Sequence, residues 1–183
     1  MTEEVVYIAN VEPDIYRKLQ QHLDTLPIGF PATTSGVEIK ILKFLFTPEE
    51  ALIGINMRFI PEPPIKIFRR VKKYGISLEQ VEIVLKRMYK KGSINVTRIQ
   101  KEDKEIFHYH NAFLAVGMYE YQLHRMTPEF YQNFELYMDE AFRDEVASTK
   151  INQLRTIPVE ESITPEHNIA SHDELKGLLD RAE

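Results

Sequence analysis

The chain has 183 residues, 43 % hydrophobic and 10 % aromatic, with a formal net charge of −5, enough for one domain or a small core with helical additions. It contains no cysteine, which excludes disulfides, thiolate zinc sites and cysteine-ligated iron–sulfur clusters within these residues. No apolar run approaches the roughly 18 residues of a membrane-spanning helix, and Glu3 and Glu4 stand where a secretory signal would be basic, so a cytoplasmic protein with no membrane partner is expected.

Ile15, Leu19, Leu23 and Leu26 recur at helical spacing, and Pro13 suits a first turn, so a helix is predicted over 13–26. Pro27 to Pro31 break the pattern, and 32–36 read as a turn or linker. A short helix over 37–46 places Val37, Ile41, Leu42 and Leu45 on one face. Thr47-Pro-Glu-Glu50 is a helix start: the threonine hydroxyl and the third-position glutamate satisfy each other's amides, and proline has no amide to lose there. That helix should run to about residue 59, burying Ala51, Leu52, Ile55 and Phe59. Pro61, Pro63 and Pro64 separate it from a helix over 64–74, with Ile65, Phe68 and Val71 inward and Lys66, Arg69, Lys72 and Lys73 wet. Gly75 stops it.

Ser77-Leu-Glu-Gln80 is a second capping box, opening a helix over 78–91 with Leu78, Val81, Leu85 and Met88 inward and Gly92 as its stop. The period then changes. Ile94 and Val96 alternate, 101–105 form a charged tip, and Ile106, Phe107 and Tyr109 resume an extended run, the pattern of a β-hairpin. Helix, helix, helix, hairpin is the winged helix-turn-helix order. An apolar helix is predicted over 113–123. Thr127-Pro-Glu-Phe130 begins another to about 147, striped by Phe130, Phe134, Tyr137, Met138 and Phe142. Residues 154–159 read as a short strand or extended arm, and 171–181 as a last helix. The expected fold is therefore mainly α, a winged helix-turn-helix core with a small β-hairpin wing and extra flanking helices. Its parts are an N-terminal helix and linker (1–36), the winged-helix core (37–112) and a C-terminal helical extension and tail (113–183).

Charge is distributed unevenly along this frame. Residues 64–101 carry eleven basic side chains against Glu79 and Glu82, a local charge of +9 that leaves −14 for the remainder. Ten of these cations are candidate contacts for nucleic acid or an acidic partner: Lys66, Arg69, Arg70, Lys73, Lys86, Arg87, Lys90, Lys91, Arg98 and Lys101. In a DNA-binding module, 78–91 would be the reading helix. Its N-terminal residues are Glu79, Gln80 and Glu82, however, and carboxylates beside phosphates weaken binding unless they meet cytosine amino groups.

Other chemistry is thin. His108 and His110 share a strand face but have no third ligand nearby, and Glu166-His167 and His172-Asp173 match no metal spacing. There is no glycine-rich phosphate loop or nucleophile elbow, and the chain has seven glycines, so no catalytic, cofactor or metal residue is assigned. The aromatic stripe at Phe130, Tyr131, Phe134 and Tyr137 reads as a packed helix face or a homodimer surface.

Several segments together resemble the N-terminal region of ferredoxin-type proteins of archaea and anaerobic bacteria that bind 4Fe–4S clusters. They are 15–24, Leu26-Pro-Ile-Gly-Phe-Pro-Ala-Thr-Thr34, 36–50, 60–64, 148–150, 154–159 and 163–167. The resemblance implies cluster-ligating cysteines in a downstream domain past Glu183 and no cofactor in the residues at hand. It also implies a non-catalytic accessory domain of an electron-transfer protein, with a redox protein as partner. A winged-helix transcriptional regulator bound to duplex DNA, dimeric or not, is the alternative. Both stay open at this point.

Overall fold

The computed structural model describes residues 14–101 and 104–148; the segments predicted at 154–159 and 171–181 lie outside them. Helix α1, Ile15–Leu23, buries Ile15, Leu19 and Leu23, a single row four residues apart. Helix α2, Val37–Leu45, follows Gly36 and buries all four of its predicted apolar positions. Glu38 is buried with them, paired with Arg17 at 2.8 Å.

Helix α3, Pro48–Ile55, starts at the predicted capping box: the Thr47 hydroxyl accepts from the Glu50 amide, and the Thr47 amide donates to the Glu50 carboxylate at 2.8 Å. It ends four residues earlier than the expected stop at 59. Asn56 leaves the helical conformation (φ −94°, ψ 3°), its side-chain amide donating to the Leu52 carbonyl at 2.8 Å. Phe59 consequently stays outside the core, its ring 4.7 Å from that of Phe113.

Helix α4, Pro64–Val71, runs into a 3₁₀ turn, Lys72–Tyr74, that closes at Gly75 with φ +78°. Its buried face differs from the predicted one. Ile67 and Val71 are inside, while Ile65 is exposed and Phe68 half-buried. The face is turned so that Arg70 meets the buried carboxylate of Glu62. Helix α5, Leu78–Lys91, carries the second capping box, Ser77 to the Gln80 amide at 3.2 Å and its own amide to Gln80 Oε1 at 2.8 Å. It buries Val81, Val84, Leu85 and Met88.

Strands β1, Ile94–Lys101, and β2, Lys104–Asn111, form an antiparallel hairpin in register from Ile94 opposite Asn111 to Lys101 opposite Lys104. Its base is fixed twice. Glu62 and Tyr109 exchange backbone hydrogen bonds of 3.1 and 2.8 Å, and the Asn111 amide donates to the Arg58 carbonyl at 2.9 Å.

The helix expected over 113–123 does not form. Within Leu114–Met118 the backbone is extended at Ala115 and Val116 and turns at Gly117, whose amide donates to the Glu120 side chain at 2.6 Å. A β-branched valine and a glycine are poor helix formers. This geometry sinks Leu114 and Met118 while Val116 stays exposed. A 3₁₀ turn, Glu120–Gln122, follows. Helix α6, Pro128–Tyr137, capped by Thr127, then passes through a π turn, Met138–Phe142, into α7, Arg143–Ser148. Phe130, Phe134, Tyr137 and Phe142 are buried as predicted, with Met138 half-buried. The chain is thus mainly helical with one small hairpin among the described residues. Helices α1 and α6 pack into the same hydrophobic core as α2 to α5.

Candidate functional site

Three of the ten candidate cations are engaged inside the protein. Arg70 grips Glu62 with both terminal nitrogens and donates from Nε to the Asn56 carbonyl at 2.6 Å. Arg87 donates to Glu50 at 2.9 Å and lies 3.4 Å from Glu49, and Lys91 reaches the second oxygen of Glu50. Glu50 is completely buried. Burial alone would raise its carboxyl, but the Lys91 charge, with hydrogen bonds from Lys91, the Thr47 amide and Arg87, outweighs burial and holds it below the ordinary carboxylate value. These contacts fasten α5 to α3 and α4 to the loop before it.

The other candidates divide into separate groups. Lys66, Arg69 and Lys73 are exposed on α4 and its 3₁₀ turn, with Lys73 over the Tyr74 ring. Arg98 and Lys101 lie on β1, where Arg98 is 3.8 Å from Glu105 and 3.5 Å from the Tyr89 hydroxyl. Lys86 and Lys90 are exposed one turn apart on α5. This last pair gathers new neighbours: Lys43 from α2, and His124 and Arg125 from the segment after the 3₁₀ turn.

Together these side chains line a groove along the C-terminal half of α5. Its larger lobe, about 1040 Å³, is bounded by Tyr16, Phe44, Phe46, Pro48 and Ile83 as well as by the cations. A second lobe, about 610 Å³, is walled by Tyr89, Val96, Arg98 and Tyr121, and shares Lys90 and His124 with the first.

The far wall is tied down by polar contacts. Gln122 is fully buried, and its amide nitrogen donates to the carbonyls of Lys91, Gly92 and Met118 at 3.2, 3.2 and 2.8 Å. Its Oε1 accepts from Arg125 Nε at 2.5 Å. Arg125 in turn donates to the Phe44 carbonyl at 2.9 Å and lies 4.5 Å over the Phe44 ring. Gly92, at φ +78°, permits the approach, since a β-carbon there would come 2.3 Å from Tyr121 Cβ.

Sequence reasoning singled out the α5 cations as candidates but not Lys43, Gln122, His124 and Arg125, which the fold places around the same groove. No local signal marks them, because they meet α5 only through tertiary packing. The two histidines on β2 do not build a centre. His110 is half-buried with its ring edge-on to Phe59, and burial lowers its pKa. Among the described residues, no group of three or more His, Asp or Glu side chains is placed to hold a metal ion, and no helix is long and apolar enough to cross a membrane. Comparisons with family models, with curated proteins and with solved structures find no match to this chain.

Proposed function

We propose that this chain is a non-catalytic winged-helix interaction module that docks an acidic protein partner through its basic face. The order α3, α4, α5, hairpin, with α4 and α5 joined across Gly75 and Ile76, supports the winged-helix reading. The segments that resemble ferredoxin-type proteins supply the setting: a cytoplasmic electron-transfer system, a redox protein as partner, and 4Fe–4S clusters held by a downstream domain.

One observation carries the choice of a protein over DNA. On the outer side of α5 the charge reverses along the helix, with Glu79 and Glu82 at the N-terminal end and Lys86 and Lys90 toward the C-terminal end. A reading helix presents its N-terminal residues to the groove, so the carboxylates would meet phosphates first. The cations instead flank a concave surface with apolar walls, which suits a folded or extended acidic protein surface. The sequential order of helices and hairpin is what favours the DNA reading.

Titration of the purified chain with an acidic 4Fe–4S ferredoxin, and separately with duplex DNA, at salt from about 50 to 200 mM tests this proposal. Saturable ferredoxin binding with weak, sequence-indifferent DNA binding is expected. Tight DNA binding with a preferred site and a steep salt slope would replace this function with that of a regulator.

A further inference from the structure

We infer that the two-lobed groove beside α5 is the docking site itself, and that it takes an extended acidic peptide segment bearing an apolar or aromatic side chain. This rests on the protein-docking reading and specifies the partner's chemistry and the residues that receive it.

The larger lobe sets six basic side chains against two carboxylates, Glu49 and Glu50. Those carboxylates are already matched by Arg87 and Lys91. The remaining excess is positive and faces solvent at Lys86 and Lys90, which have no internal partner among the described residues. Ligand carboxylates one helical turn apart can meet them in sequence. Between the cations, Tyr16, Phe44 and Ile83 offer an apolar floor, and in the second lobe Tyr89, Val96 and Tyr121 do so. A ligand that fits therefore alternates charge with apolar surface.

Shape selects a chain over a small molecule. The larger lobe alone, about 1040 Å³, lies at the upper end of the ~300–1,000 Å³ usual for small-ligand pockets, and Lys90 and His124 also line the second lobe. Its lining follows α5 from Ile83 to Lys91, about 12 Å of helix, which an extended peptide of roughly four residues spans. The Gln122 and Arg125 contacts hold the far wall in place before any ligand arrives, which lowers the ordering cost of binding.

The choice of a peptide over single-stranded nucleic acid follows from the protein-docking reading, and the test below separates the two. Phe44 is stacked on Phe130 with centroids 4.2 Å apart and has Arg125 on it as well, so it offers a ligand no open ring face, whereas Tyr89 and Tyr121 are exposed.

The test uses the chain with a fluorescein-labelled octapeptide of Asp and Glu with one central Phe, beside an oligothymidylate of equal length. Amide chemical shifts should move at Lys86, Lys90 and His124 on adding the peptide. The exposed double variant K86E/K90E should weaken its binding by about tenfold or more, while K66E/K73E on α4 should leave it within about twofold. Shifts confined to α4, with loss of binding in K66E/K73E, would overturn the groove and leave protein docking intact. Absence of peptide binding while the acidic ferredoxin still binds would likewise overturn the groove alone. Tighter binding of the oligothymidylate, with no ferredoxin binding, would overturn both.

Discussion

Glu50 joins two roles that normally belong to different residues. It closes the capping box of α3 and, fully buried, receives Arg87 and Lys91 from α5. Removing one partner of a buried ion pair leaves uncompensated charge, so Glu50→Gln should lower unfolding free energy by about 3 kcal/mol. Glu49→Gln, whose half-buried side chain pairs with Arg87 at only 3.4 Å and whose amide oxygen can still accept from Thr47, should cost less, about 1 kcal/mol. Urea denaturation of both variants checks the contrast, and equal effects would refute the assigned hierarchy. His22 is half-buried, its ring nitrogen 2.9 Å from the Met57 carbonyl beside Asn111, and burial lowers its pKa, with Arg70 adding to the effect. His110 shifts the same way through burial. Each therefore binds its proton more weakly when folded. The stability they contribute is fully present above their ordinary value of 6.5 and drains as pH falls through the lower folded values. The denaturation midpoint should drop between pH 7 and about pH 5, and less steeply in His22→Gln. A flat profile would contradict the placement of both rings.

Elements were legible in the sequence where a local rule decided them. The Thr47 and Ser77 capping boxes and the stops at Gly75 and Gly92 needed only short-range chemistry, and all appear in the structure. The stripe from Phe130 to Phe142 also appears, since its helical spacing leaves one inward face. Prediction failed where tertiary contacts outvoted periodicity. In α4, two apolar rows fit helical spacing; the one buried is Ile67 and Val71, with Arg70 beside them paired to the buried Glu62, and Ile65 is left outside. After the hairpin, Gly117 and the Glu120 side chain broke an apolar run that composition alone reads as helix. Gly92 ties α5 to this segment. Gly92→Ala combines a left-handed φ with a 2.3 Å approach to Tyr121, and a non-glycine residue in that conformation already costs of order 1–3 kcal/mol. The variant should lose at least that much stability by thermal unfolding and also weaken ligand binding in the groove. Unchanged binding in a folded variant would show that the Tyr121 wall is dispensable.

At the scale of the molecule, the +9 of residues 64–101 resolves into unlike parts. Arg70, Arg87 and Lys91 hold elements together, Lys66, Arg69 and Lys73 coat α4, and Lys86 and Lys90 border the groove. The sequence revealed the charge, but the division depends on where Glu50 and Glu62 lie once folded, which no local spacing encodes. The same holds for Lys43, His124 and Arg125, brought to α5 from distant segments. The proposed function follows from that division: the cations left facing solvent near the groove meet an acidic protein. Zero-length carbodiimide cross-linking of this chain to an acidic 4Fe–4S ferredoxin, read by peptide mass spectrometry, tests it most directly. Cross-links from Lys43, Lys86 and Lys90 to ferredoxin carboxylates, suppressed by salt, are the predicted result. Cross-links no more numerous than those given by a basic protein of similar size would contradict it, while cross-links confined to Lys66, Lys72 and Lys73 would keep protein docking and move the contact from the groove to α4.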